Sequence, residues 1–150
     1  MVFLYLTIQN NSSWTFKYAR VSPICGYRCR SVTSPGAIIA RGECIVIRLE
    51  PNIGFMGVEC GVGAEFEIHR GDGKVIKFFV KVPACGDDKF SVTCNTTMDN
   101  GVTWHNAGKG GSDNQHNVHL TIQDGGFLMA EMVNHDVTLR MAIDFIARHA

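Results

Sequence analysis

Apolar and polar residues alternate over much of this chain, most clearly between Val62 and Cys94. In Ala64-Glu65-Phe66-Glu67-Ile68-His69, alanine, phenylalanine and isoleucine share one side, and two glutamates and a histidine share the other. Side chains on a strand point alternately to its two faces, so this pattern predicts a half-buried strand. Gly71-Asp72-Gly73 follows, and Asp-Gly supplies residues that tolerate positive φ in a tight hairpin turn. Lys74 to Val82 is the predicted return strand, with Ile76, Phe78, Val80 and Val82 on one face. Val75, Lys77, Phe79 and Lys81 lie on the other. Pro83 to Asp88 breaks the pattern, and Lys89 to Cys94 resumes it. The stretch reads as a three-stranded meander.

The same reading extends in both directions. Val2 to Gln9 predicts a first strand, and Asn10-Asn11-Ser12-Ser13 a polar turn. Trp14 to Val21 then forms an expected hairpin with strand one. Ser22 to Pro35 reads as irregular. Ala37 to Ala40 is short and apolar, Cys44 to Leu49 reads as a buried strand, and Pro51 to Gly63 as a glycine-rich loop. Asn95 to Asn117 is polar, with a turn signal at Asn100-Gly101 and a loop at 108–114. Strands are expected at Asn117 to Gln123 and Phe127 to Val133. Val137 to Ala147 fits either a strand or a short helix capped by Asp136. About ten short strands with Gly, Asn and Asp turns predict an all-β fold, a single-domain sandwich of antiparallel strands covering residues 1–150.

Composition narrows the classes. The chain has 150 residues, 45% hydrophobic and 19% charged, which is ample for one core and unlike a disordered chain. Fourteen basic residues balance fourteen acidic ones, so nucleic acid is not an expected partner. The opening MVFLYLTIQNN lacks the basic region and small-residue cleavage site of a signal peptide, and reads as a strand. Six cysteines (Cys25, Cys29, Cys44, Cys60, Cys85 and Cys94) admit three readings. The first is a secreted protein with disulfides, with Cys85–Cys94 a pair to examine. The second is a cytoplasmic protein with free thiols, which Cys44 suits by lying in the apolar run Cys44-Ile45-Val46-Ile47. Zinc at Cys25-x-x-x-Cys29 comes third, because no second close pair answers it. The triplets at Asn10, Asn11 and Asn95 fit secretion.

No catalytic, metal or cofactor signature emerges. His116-x-x-His119 would need both rings on one side, whereas residues three apart on a strand face opposite ways. The six histidines therefore read as solvent-facing. Glu65 and Glu67 share one strand face and Asp87 and Asp88 a turn, and neither pair predicts carboxylates across a cleft. Gly108-Lys109-Gly110-Gly111-Ser112 lacks the phosphate-loop spacing. The expectation is a non-enzymatic protein without metal or cofactor.

Binding chemistry is more legible. Lys77-Phe79-Lys81 places an aromatic ring between two lysines on the polar side of a strand, a combination suited to a lipid interface or an anionic ligand. Phe55-Met56 adds an apolar loop tip. Trp14, Tyr18, Tyr27 and Trp104 add rings suited to an interface or to stacking on sugars. The expected binding residues are Lys77, Phe79, Lys81, Phe55 and Trp104. The alternative for Phe79 is packing beneath other structure.

One family shares this layout. LTIQNNSS, the Pro-Gly turn region, VGAEFEIHRGDGKVIKFFVKVPACGDDKFSV and Val102-Thr103-Trp104 together resemble the aegerolysins, and more distantly the actinoporin-like lectins and cytolysins. The resemblance covers mostly residues 1–105. It implies a β-sandwich that binds membrane lipid, acting as a cytolysin with a pore-forming partner or as a homo-oligomer. The chain departs from the pattern in three places. The aegerolysin Cys-Pro-Trp-Gly break is here Val82-Pro83-Ala84-Cys85-Gly86. No aromatic cluster matches that of the actinoporins for phosphocholine. The tail from His116 is longer than an aegerolysin needs. No lipid-binding residue is carried over from either family. The second expected class is a secreted, disulfide-stabilised recognition protein, a lectin for glycans or a host-targeted effector.

Overall fold

The computed structural model describes residues 3–24, 27–52, 61–82, 87–94, 105–109, 115–123, 127–133 and 140–144, with side chains described for 3–24, 27–52, 61–82 and 116–123. Among the described residues twelve strands run in order: β1 (Phe3–Asn11), β2 (Phe16–Pro23), β3 (Cys29–Ser31), β4 (Ile38–Ile39), β5 (Cys44–Pro51), β6 (Val62–Arg70), β7 (Val75–Val82), β8 (Asp87–Cys94), β9 (His105–Lys109), β10 (Gln115–Gln123), β11 (Phe127–Val133) and β12 (Arg140–Asp144). No helix occurs among the described residues. Within the C-terminal segment, Arg140–Asp144 forms a strand, as its alternation allowed.

The strands form two six-stranded sheets. Sheet A has the order β12-β11-β10-β1-β5-β3, and sheet B has β4-β2-β6-β7-β8-β9. Alternate residues of both feed one apolar cluster. Leu4, Leu6, Ile8, Ile47, Leu49, Val118, Leu120 and Ile122 come from sheet A. Phe16, Tyr18, Phe66, Ile68, Ile76, Phe78 and Val80 come from sheet B. The Phe66 ring sits 6.4 Å from both Tyr18 and Phe78, within the range of favourable tilted ring pairs. A shared core between two stacked sheets is the expected sandwich.

The β6–β7–β8 meander pairs antiparallel as the alternation predicted, from Val62↔Val82 to His69↔Val75 and from Ile76↔Cys94 to Lys81↔Lys89. Its first turn closes with Arg70 N–H donating to the Lys74 carbonyl at 2.8 Å, and Gly73 takes φ 93°. Only glycine adopts that conformation without strain. Asp87 and Asp88 belong to β8, not to the expected turn.

Two expectations of topology are corrected. The β1–β2 hairpin is absent, because β1 belongs to sheet A and β2 to sheet B. Residues 11–15 form an arch between the sheets, held by the buried Asn10 side chain. Asn10 Nδ2 donates to the carbonyls of Trp14 (2.6 Å) and Ile39 (3.0 Å), and its Oδ1 accepts from Ser12 N–H (2.9 Å) and Ser12 Oγ (2.6 Å). A buried amide must satisfy its donors and acceptor, and only the crossing path brings these partners to it. The sheets are also not wholly antiparallel. β1 pairs parallel with β10 from Phe3↔Gln115 to Asn11↔Gln123, and antiparallel with β5. More than a hundred residues separate β1 from β10, so no short turn dictates their direction.

Candidate functional site

The outer face of sheet A carries the most unusual chemistry among the described residues. Leu4, Leu6 and Ile8 enter the core, so Phe3, Tyr5 and Thr7 lie on the opposite face of β1. Tyr5 is directly opposite Arg48 on β5, and Thr7 is opposite both Val46 on β5 and His119 on β10. The Arg48 guanidinium carbon lies 4.8 Å from the Phe3 ring centroid and 5.7 Å from that of Tyr5. Both distances fall within cation–π range.

Arg48 is incompletely satisfied. Its Nε is buried and has no hydrogen-bond partner, while its Nη2 lies 3.4 Å from Glu50 Oε2. Arg30 Nε donates to Glu50 Oε1 at 2.8 Å, so Glu50 is shared by two guanidiniums. Two cations against one carboxylate leave this corner positive. An unpaired buried N–H is costly, and the attraction of the rings for the cation offsets part of that cost. The Arg48 side chain is 39% accessible, so part of it meets solvent. Val46 is 50% exposed beside it. Val32, 54% exposed, continues from β3, and its N–H donates to the Arg48 carbonyl at 2.9 Å. The face therefore joins aromatic, aliphatic and cationic groups on one sheet.

This cluster was not among the expected binding residues. A signal for it existed in β1, where the outward positions change from aromatic (Phe3, Tyr5) to polar (Thr7, Gln9, Asn11) within one strand. Arg48 joins only through the β1–β5 register.

Sheet B places the expected residues differently. Phe79 has no accessible surface. It lies outside the core cluster, and its neighbours Phe78 and Val80 belong to it. The ring is thus buried on the outer side of the sheet, opposite Glu65 and Ser91. It does not present the exposed aromatic surface that a lipid contact needs. Lys77 is half-buried and pairs with Glu65 at 3.2 Å. Lys81 is half-buried opposite Gly63 and Lys89. Phe55 and Trp104 lie outside the described residues. Glu67 Oε1 accepts from His69 Nε2–H at 2.7 Å, and Arg20 is its neighbour on β2. Glu65 and Glu67 are therefore matched to basic neighbours along one face, with no cleft between carboxylates.

The remaining chemistry-bearing residues sort cleanly. His116 is buried and His119 exposed, as a spacing of three on a strand requires, so His116 departs from the solvent-facing expectation. Among the described residues, no group of three or more His, Cys, Asp or Glu side chains could hold a metal ion. Cys29 and Cys44 are free thiols. Cys29 donates to the Gly63 carbonyl at 3.3 Å, and burial pushes its thiol pKa up. Cys44 is exposed, contrary to the core position its apolar run suggested; it lies opposite Gln9 on the outer face. Cys25 and Cys85, and with Cys85 the candidate Cys85–Cys94 bridge, fall outside the described residues.

Several solved structures resemble this fold, among them the following two. The crystal structure of IP-1A from Alcaligenes faecalis matches with a TM-score of 0.53 at 15% identity, covering 80% of this chain and 89% of that one. The lipid binding protein Nakanori matches with a TM-score of 0.57 at 11% identity, covering 94% of this chain and 69% of that one. No family model matches the sequence, and no curated protein matches it. At such identities the likeness speaks for the β-sandwich and transfers no residue's role. The site must stand on its own geometry.

Proposed function

We propose that this protein binds membrane lipid without catalysing a reaction, through the outer face of sheet A. The observation that carries the proposal is Arg48 held over Phe3 and Tyr5 with its side chain partly exposed. At a bilayer surface, aromatic rings settle at headgroup depth and a guanidinium meets lipid phosphate. Val32 and Val46 add exposed aliphatic area to the same face. Support for the class also comes from Nakanori, described as a lipid binding protein, whose fold this chain resembles.

Sedimentation with vesicles tests the proposal. Phosphatidylcholine vesicles, with and without sphingomyelin or an anionic lipid, should pull down the wild-type chain in at least one composition. Arg48→Gln should weaken that binding tenfold or more. Val46→Glu changes an exposed position and should do the same while leaving the melting temperature within a few degrees. Failure to bind any composition overturns the proposal, as does full binding by both variants.

A finer reading rests on the aegerolysin-like layout: the bound protein is a cytolysin that acts with a pore-forming partner. Dye release from vesicles that bind the protein, with the chain alone, tests whether it permeabilises them unaided.

A further inference from the structure

A second surface lies at the other end of β1, about 30 Å away by the rise of a nine-residue strand. Here the arch at 11–15 meets the β6–β7 turn, with Gly71 N–H donating to the Thr15 carbonyl at 2.8 Å. Trp14 stands on this arch, 42% exposed. Beneath it lies Arg70, whose guanidinium carbon is 4.2 Å from the ring centroid. Arg70 is buried, with its side chain 5% accessible, and Asp72 grips it in a fork at 2.8 Å (Nε–Oδ1) and 2.6 Å (Nη2–Oδ2). Asp72 also accepts from Lys74 N–H at 3.3 Å.

Much buried polar structure fixes this one ring. Asn10 Nδ2 holds the Trp14 carbonyl, and Ser12 Oγ accepts from Trp14 N–H at 3.2 Å. Asn10, Ser12 and Arg70 are all nearly inaccessible. Burying three polar side chains is costly unless each is bonded, and here their bonds converge on the Trp14 backbone and ring. The indole is held in place with one face covered by Arg70 and surface left open to solvent.

We propose that Trp14 is a stacking platform for a neutral sugar ring, with the Asp72 carboxylate as a hydrogen-bond acceptor beside it. Three features choose this ligand. The covered face of the indole already serves a cation, so a second cation such as a quaternary ammonium gains less from the ring. Asp72 is already neutralised by Arg70, which removes the other attraction for a cation. Trp14 is the only large apolar side chain in the described loops 11–15, 40–43 and 70–74, whose other side chains include those of Asn11, Ser13, Thr15, Arg41, Glu43 and Asp72. A membrane-inserting tip needs an apolar group of residues, whereas a sugar needs one ring and polar neighbours. The carboxylate stays ionised across the physiological range, because the Arg70 guanidinium holds its pKa down at about 2. The sugar can belong to a free or protein-linked glycan or to a glycolipid headgroup.

An array of free oligosaccharides tests the platform with the full chain. A second arm compares vesicles carrying a glycolipid with the same vesicles lacking it, so binding through sheet A is subtracted. Saturable binding to a subset of glycans is expected on the array, or a gain on glycolipid vesicles. The first result assigns free glycans and the second a headgroup. Trp14→Ala should lower the binding at least tenfold. Trp14→Phe keeps a smaller ring over Arg70 and should lower it threefold or more with little change in melting temperature. The proposal is overturned if neither arm shows binding, or if binding survives both substitutions within twofold. Glycan binding without any affinity for plain lipid vesicles would sink the sheet A proposal and leave this one standing.

Discussion

Truncating Phe79 distinguishes a buried ring from one that meets a lipid interface. The ring is fully buried. Burying such a side chain stabilises a protein by about 1.5–3 kcal/mol through transfer alone. Phe79→Ala also leaves a cavity that neighbouring β-strands close only in part, so the total loss is about 3–5 kcal/mol. In a protein of this length that corresponds to a fall in Tm of roughly 10 °C. Phe79→Leu keeps most of the volume and should cost under about 1.5 kcal/mol. Urea denaturation followed by intrinsic fluorescence reads both changes, provided the slope of each transition stays constant. Vesicle binding by the folded fraction should be unaltered. A loss of under about 1 kcal/mol together with weakened vesicle binding would refute the reasoning and return Phe79 to an interfacial role.

Three other outcomes follow from the geometry. Asn10→Ala removes four hydrogen bonds and strands the Trp14 and Ile39 carbonyls and Ser12 donors, so stability should fall by about 2–4 kcal/mol in chemical denaturation. Asp72 has its carboxyl pKa lowered from 3.8 to about 2, first by the Arg70 hydrogen bonds. Its contribution is therefore present above pH 3.8 and disappears as pH falls through about 2, and Asp72→Asn should flatten that part of the stability–pH curve relative to wild type. In thiol labelling mapped by mass spectrometry, exposed Cys44 should react in the native protein, whereas Cys29, buried and with its pKa raised, should react only on unfolding.

The legible parts of the fold were those where one face meets the core and the other meets water. β6 shows this: from Ala64 to Arg70 every second residue is buried, and the alternation predicts it. In β7 the alternation is broken, with Phe78, Phe79 and Val80 buried in succession, because Phe79 is buried on the side opposite Phe78 and Val80. A phenylalanine between two lysines looks solvent-facing when nothing local records that the second face is also covered. The arch at 11–15 was misread for a related reason. Asn10-Asn11-Ser12-Ser13 marks a turn, but turn residues do not say whether the next strand pairs with the last or crosses to the other sheet. Strands β3 and β4, of 3 and 2 residues, are too short to show a period. The Arg48 cluster was hidden because its members lie on strands forty residues apart, and only register brings them together.

That register ties both proposed surfaces to the stability of β1. The strand is flanked on both edges, by β5 and β10, so it offers no free edge for pairing with another chain. Its two faces divide the work: Leu4, Leu6 and Ile8 hold the core, and Phe3 and Tyr5 carry Arg48. A slip of one residue would exchange these rows, placing Thr7 in the core and Leu6 on the surface. Asn10 opposes such a slip, because its four hydrogen bonds form at one position of the strand only. The amide that sets the Trp14 arch at one end therefore also fixes the alignment of Phe3 and Tyr5 with Arg48 at the other. Loosening it should disturb both surfaces, whereas substitutions at Val46 or Trp14 should disturb one each.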